Sequence, residues 1–244
     1  MHVRRILEET ITRRPVHLTL IDPPKQTAKR AEEIAAAADG LGTDGFLVGG
    51  STGVEQANLT ETVSAIKEVS NKPVIFFPGQ SKVFSMSFDA VLFLTLLNSR
   101  NVDFLIRTQA QSALILKKLD VEILPTGYLV IEPGMSVGEM GESDLIERDN
   151  FWTASGYAVA AEMLGVKYIY LECGSGSPVT VPPDMVRAIK KVVDVPVIVG
   201  GGIRTAAVAR QLILAGADII ITGTVVERHE YKQRLSEIIK AVTE

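Results

Sequence analysis

Cysteine is almost absent from this chain. The single thiol, Cys173, in 244 residues excludes an internal disulfide framework and a multi-cysteine metal centre, and it fits a reducing cytoplasm. Histidine is nearly as scarce, and His2, His17 and His229 fall in no spacing that would ligate a metal or relay a proton. A basic excess is missing too: 25 Lys and Arg against 29 Asp and Glu leave a net charge of −4, the wrong sign for a nucleic-acid footprint. The longest apolar run, AVLFLTLL at 90–97, is far short of the roughly 20 residues that cross a bilayer. The opening segment MHVRRILEETITRR lacks the apolar core of roughly 7–15 residues that a secretory signal requires. These absences lead us to expect a cytoplasmic enzyme with no transmembrane segment and no nucleic-acid partner.

What is present begins with two glycine turns. GGGIR at 200–204 follows PVIV, and ITGT at 221–224 closes the run ADIII, one helix-length apart. Glycine lets a backbone approach an anion closely, and a following helix N-terminus adds N–H donors and a favourable dipole. Two such turns after consecutive strands predict a phosphate site.

The rest of the chain alternates short apolar runs with helical spacing. Strands are predicted at 16–22, 45–49, 73–77, 103–107 (DFLIR), 127–134, 167–172, 195–200 and 217–222, and helices over FDAVLFLTLLN and QAQSALILKKL. Ala31, Ile34, Ala35 and Ala38 share one helical face, and Leu235, Ile238, Ile239 and Val242 make the stripe of a closing helix. Eight strands, each followed by a helix-sized segment, predict an α/β fold: one closed TIM (β/α)8-type barrel spanning 1–244 as a single domain. The polar segment 136–150 is predicted as either a lid or a surface excursion on the C-terminal face.

In such a barrel the chemistry sits at the C-terminal strand ends. Asp22 ends strand one, and Ser51 follows strand two. A carboxylate with a hydroxyl suits Mg²⁺, which takes few protein oxygens; the plainer alternative is that both residues cap turns. Lys25 lies in the same loop as Asp22. Glu172 closes strand six, aimed at the barrel mouth where it can take a proton from a substrate hydroxyl, with Tyr170 on the same face. CGSGSP at 173–178 offers a third glycine turn. Cys173 reads as a small apolar filler and His17 as a barrel residue.

HLTLIDPPK at 17–25, VGGST at 48–52, YLECGSG at 170–176, VGGGIR at 199–204 and TGT at 222–224 together resemble the geranylgeranylglyceryl phosphate synthase family, which includes the bacterial polyprenylglyceryl phosphate synthases. The resemblance covers essentially the whole barrel. It implies a modified TIM barrel that joins a polyprenyl diphosphate, here geranylgeranyl diphosphate, to the 3-hydroxyl of sn-glycerol 1-phosphate with Mg²⁺, in the first ether-forming step of archaeal membrane lipids. It implies Asp22 and Ser51 as the metal positions. The glycerol phosphate would be held by Tyr170, Leu171, Glu172, Cys173, Gly174, Ser175 and Gly176, and its phosphate by Gly201, Gly202, Gly223 and Thr224. Leu20 stands where one branch of the family has lysine, and Thr224 where that branch often has asparagine, which points to the other, mostly archaeal, branch.

A prenyl tail needs an apolar groove. The expected walls are the FFPGQ turn, the SMSFDAVLFLTLL segment, and Tyr128 or Ile131. A competing expectation is a metal-independent phosphosugar isomerase or lyase, with Asp22 and Glu132 as its acid–base pair. Two expectations concern partners. Trp152, Val159 and Met163 form an apolar stripe rotated from the barrel-facing Phe151, Ala154, Ala158 and Ala161, so a homo-oligomer with Trp152 at its interface is expected. Transient membrane-surface contact is expected because the product is a lipid.

Overall fold

The computed structural model describes residues 2–50, 53–79, 87–119 and 121–244. Its strands are β1 (Val16–Ile21), β2 (Gly45–Val48), β3 (Val74–Phe76), β4 (Ala90–Leu96), β5 (Glu122–Val130), β6 (Tyr168–Glu172), β7 (Val197–Gly200) and β8 (Ile219–Thr222). All pair in parallel and in chain order, and β8 returns to β1 to close the barrel. A parallel strand covered on both faces reads as a continuous apolar run, and β2, β6, β7 and β8 are buried at every residue. Alternate side chains divide two cores. Leu18, Leu47, Ile75, Leu124, Ile198 and Ile219 fill the barrel interior, while Ile21, Phe46, Leu129, Leu171, Val199 and Ile220 face the outer helices.

Those helices are α1 (Val3–Ile11), α2 (Ala28–Leu41), α3 (Gln56–Val69), α4 (Thr108–Lys118), α5 (Met135–Met140), α6 (Phe151–Met163), α7 (Pro183–Lys190), α8 (Ala206–Leu214) and α9 (Tyr231–Thr243). Their starts follow local capping chemistry: Thr27, Asn150 and Thr205 accept from the backbone N–H groups of Arg30, Thr153 and Val208. Helix α1 packs Val3 and Leu7 into the interior cluster. The Glu122 carboxylate accepts from the backbone N–H groups of Val3 and Arg4, tying the free amides at the helix start to β5. The predicted stripe on the closing helix is buried as Leu235, Ile238, Ile239 and Val242 of α9.

Four predicted elements need correction. FDAVLFLTLLN is not a helix; its residues 90–96 form β4, between β3 and β5. DFLIR is not a strand but a π-helical turn, Asp103–Arg107, that runs into α4. β5 begins at Glu122 and passes through Pro125, opposite Phe93, well before the predicted start at 127. Segment 136–150 is no free excursion. It opens on α5, pairs Ile146 with Ile131, and is held by Asn98, whose Nδ2 donates to the carbonyls of Val130 and Asp144 at 2.9 and 2.8 Å.

Helix α6 has the predicted buried side, but of the predicted second stripe Val159 packs against the outer core and only Trp152 and Met163 are exposed. Ala154, Ala158 and Ala161 are fully buried. Trp152 is 89% exposed and Met163 83%, so the indole is not folded under residues 136–150. Among the described residues no helix is long and apolar enough to cross a membrane.

Candidate active site at the C-terminal barrel face

A cavity of about 770 Å³ opens at the C-terminal ends of the strands. One pole is polar, with Asp22, Lys25, Glu172, Arg204, Thr224 and Glu227 around the glycine turns at 201–202 and 223. The other is apolar, lined by Phe76, Phe93, Leu94, Leu96, Phe104 and Met140. The two poles are continuous. Between them lie the rings of Phe77, Tyr128 and Tyr170, with Tyr128 edge-on to Tyr170 at 4.8 Å and Phe77 to Tyr170 at 5.9 Å.

Glu172 is set by the pleat of β6, which turns Tyr170 and Glu172 inward and Leu171 and Cys173 outward. Its Oε1 accepts from the Gly174 N–H at 2.6 Å. Burial pushes its carboxyl pKa up, and hydrogen bonds from Gly174, Tyr170 and Tyr128 oppose that shift only in part. The glycines of β7 make room for it. A Cβ at Gly200 would come 2.3 Å from the Tyr170 hydroxyl, and one at Gly201 2.2 Å from Glu172 Oε1. Gly202, at φ +71°, would place a Cβ 2.0 Å from the Val179 carbonyl. These glycines therefore seat the carboxylate and the β6–α7 loop, a purpose the phosphate argument did not contain.

Asp22 is half-buried, and this desolvation raises its pKa, while Lys25 lowers it and Glu227 raises it again. Lys25 Nζ lies 3.3 Å from Asp22 Oδ2 and 2.8 Å from Glu227 Oε1. Asp22 Oδ1 is buried with no hydrogen-bond partner among the described residues, and a Cβ at Gly50 would fall 2.2 Å from it. An orphaned hard oxygen beside an anion-binding pole fits Mg²⁺, which keeps most of its shell for water and substrate phosphates. No group of three metal-ligating side chains gathers among the described residues. Ser51, the predicted second metal position, lies outside the described residues.

Of the predicted substrate contacts, Tyr170, Glu172, Ser175, Gly201, Gly202, Gly223 and Thr224 line the cavity; Leu171, Cys173, Gly174 and Gly176 do not. The side chains of Leu171 and Cys173 pack in the outer core, so any part they take is through their backbone. Gly174 orients Glu172, and the Gly176 carbonyl accepts from Arg204 Nη2 at 2.6 Å. The Cys173 thiol is pushed up to about 12 by burial, in keeping with an inert filler. His17 is a structural residue: its ring nitrogens bond Thr43 at 3.0 Å and Thr222 at 2.9 Å, and burial lowers its pKa to about 4.

Among the groove walls, Phe76, Phe77, Pro78, Gly79 and Tyr128 line the cavity, as do Val91, Phe93, Leu94 and Leu96 of β4. Ile131 is buried in the outer core instead, and Gln80 and the Ser85–Met86 start of the second segment lie outside the described residues. Sequence reasoning missed two contributors. Arg204 was visible only as the tail of GGGIR. Phe104 reaches the cavity from DFLIR, the segment misread as a strand, and Gln111, Ser112 and Ile115 reach it from the predicted helix that follows, which was given no part in the site. Glu132, needed by the isomerase or lyase alternative, is not among the lining residues.

Fold and site together define the class: a parallel βα barrel enzyme whose mouth joins a polar, charged pole to an apolar one. The chain belongs to the PcrB family, which it matches over residues 5–242. It is 45% identical over 243 residues to geranylgeranylglyceryl phosphate synthase of Picrophilus torridus, spanning 99% of this chain and 100% of that one. It is 46% identical over 237 residues to the enzyme of the same name from Pyrococcus abyssi, spanning 96% and 94%. The crystal structure of (S)-3-O-geranylgeranylglyceryl phosphate synthase from Thermoplasma acidophilum, in complex with its substrate sn-glycerol-1-phosphate, superposes with a TM-score of 0.96 at 41% identity, covering 100% of this chain and 98% of that one.

Proposed function

We propose that this protein is a geranylgeranylglyceryl phosphate synthase, a prenyltransferase that joins geranylgeranyl diphosphate to the 3-hydroxyl of sn-glycerol 1-phosphate and releases diphosphate. The observation that carries the reading is the continuity of the two poles. A phosphosugar enzyme needs the polar one alone; only an acceptor–prenyl pair needs both.

The C1–O bond to diphosphate breaks while a bond forms between C1 and the glycerol 3-oxygen, and the hydroxyl proton passes to Glu172. Glu172 is buried, and Gly174 and the two tyrosines fix its orientation, so it meets that hydroxyl with little reorganisation. The rings of Phe77, Tyr128 and Tyr170 face the junction where positive charge develops on the allylic carbon, and aromatic faces attract cations. Asp22 and Ser51 would hold Mg²⁺, which supplies charge neutralisation to the departing diphosphate. Lys25 and Arg204 add positive charge at the same pole. The test is incubation with sn-glycerol 1-phosphate and a series of labelled prenyl diphosphates, with and without Mg²⁺, followed by lipid extraction. Turnover of a phosphosugar that survives a chelator, with no extractable ether, would replace this reading with the isomerase one.

Gly202→Ala should raise the KM for glycerol phosphate severalfold or more and leave that for the prenyl diphosphate nearly unchanged. The cause is the clash with Val179, together with a positive φ that alanine adopts poorly. Equal KM values for glycerol phosphate in variant and parent would overturn the assignment of the β7 turn to the head pole.

We further propose that the protein assembles as a homo-oligomer through α6. A barrel covers one side of its outer helices, and here the other side presents Trp152, Met163 and Leu164 at 89%, 83% and 84% exposure. Tryptophan is enriched at interface hot spots. Trp152→Ala should lower the molar mass seen by light scattering and leave a folded, active smaller species; an unchanged mass would return Trp152 to solvent.

A further inference from the structure

Helix α4 is held to the barrel by very little. Among its residues only Gln109 and Leu116 are buried. Thr108, Gln111, Ser112 and Ile115 face the cavity, where they form the outer wall of the apolar pole. The opposite side is apolar as well. Ile106, Ala110 and Leu114 recur at four-residue spacing through the π-helical turn and α4, and Ile106 and Leu114 are 59% and 74% exposed. Val102 extends the stripe at 44%. Lys117 and Lys118 end it, in the last turn of the helix, and make no ion pair among the described residues.

A thin helix with the prenyl cavity on one side, an exposed apolar stripe on the other and cations at its end is built like an interfacial helix. We propose that the 102–118 face docks on an anionic lipid surface, so that the apolar pole of the cavity opens toward the bilayer that holds the prenyl substrate and receives the product. The proposal rests on the prenyltransferase reading. A second copy of the chain is the other conceivable occupant. Two observations favour lipid: the stripe adjoins the cavity wall through which a long apolar chain must enter, and its lysines match an anionic surface but would repel each other across a symmetric contact.

The test uses the whole protein and vesicles of phosphatidylcholine alone or mixed in equal parts with phosphatidylglycerol. The protein should cosediment with the mixed vesicles, weakly with the neutral ones, and less as salt is raised. Lys117→Glu with Lys118→Glu, and separately Ile106→Ser with Leu114→Gln, should each weaken cosedimentation about tenfold or more. None of these four residues lines the cavity, so turnover of detergent-dispersed prenyl diphosphate should be unchanged, while turnover of vesicle-borne substrate falls. Wild-type protein that ignores anionic vesicles, or variants that bind them as well as the parent, would overturn the proposal. A drop in molar mass of the variants by light scattering would reassign the face to a contact between copies. Absence of turnover in detergent would instead count against the prenyltransferase reading, because vesicle binding is scored without catalysis.

Discussion

Glu172→Gln should lower turnover by about 10²-fold or more, the loss expected when a positioned general base is removed, and should do so without unfolding the protein. The amide keeps the shape and can still accept from the Gly174 N–H. Burial raises the Glu172 pKa, so the fold favours the protonated acid, and that contribution to stability disappears as pH rises through the folded-state pKa. At neutral pH an ionised Glu172 is therefore a cost to folding, and the variant should melt no lower than the parent. The same shift sets the pH profile. Because the base binds its proton at a higher pH than an ordinary glutamate, parental turnover should fall as pH is lowered and begin to do so while still above the usual carboxylate range, and this acid limb should vanish in the variant. Thermal melts and a pH–rate series on both proteins check the three statements. A variant that turns over normally removes Glu172 from the chemistry.

Asp22→Asn should abolish most activity, by a factor comparable to or larger than that for Glu172. The parent presents a buried carboxylate oxygen with no protein hydrogen-bond partner among the described residues, and an amide oxygen there is a poor ligand for a hard divalent cation. The loss should be deepest at limiting Mg²⁺, and calorimetry should show weakened binding of Mg²⁺ with inorganic diphosphate while glycerol phosphate binding persists. Ordinary turnover of the variant at limiting Mg²⁺ would remove Asp22 from the metal role.

The sequence made the closed barrel and much of the head pole legible, because both depend on local signals. Short β-branched runs stopped by glycine mark the ends of β7 and β8, and strand pleat places Tyr170 and Glu172 together on the inner face. The apolar pole was harder to read. β4 is a seven-residue apolar run without alternation, and such a run cannot be told from a buried helix by periodicity. DFLIR carries the same signal in miniature, yet it forms a π-helical turn with none of its residues buried. What decides its state is the tertiary site it covers, which no local pattern encodes. Pro125 hid the first half of β5, since proline argues against a central strand. The glycines at 200 and 201 have a purpose that sequence does not show: beside the approach of an anion that it suggests, the space where their side chains would be is taken by the enzyme's own tyrosine and carboxylate.

The burial of Cys173 has a practical consequence. The thiol donates to the Glu132 carbonyl, with the Arg148 guanidinium at 3.8 Å, and its raised pKa leaves almost no thiolate at neutral pH. For maleimide and spin-label chemistry the wild-type sequence is thus already a silent background. A cysteine introduced on the surface would be the one reactive position, and with a pair of them distances across the barrel mouth could be read by spectroscopy without first removing the native thiol.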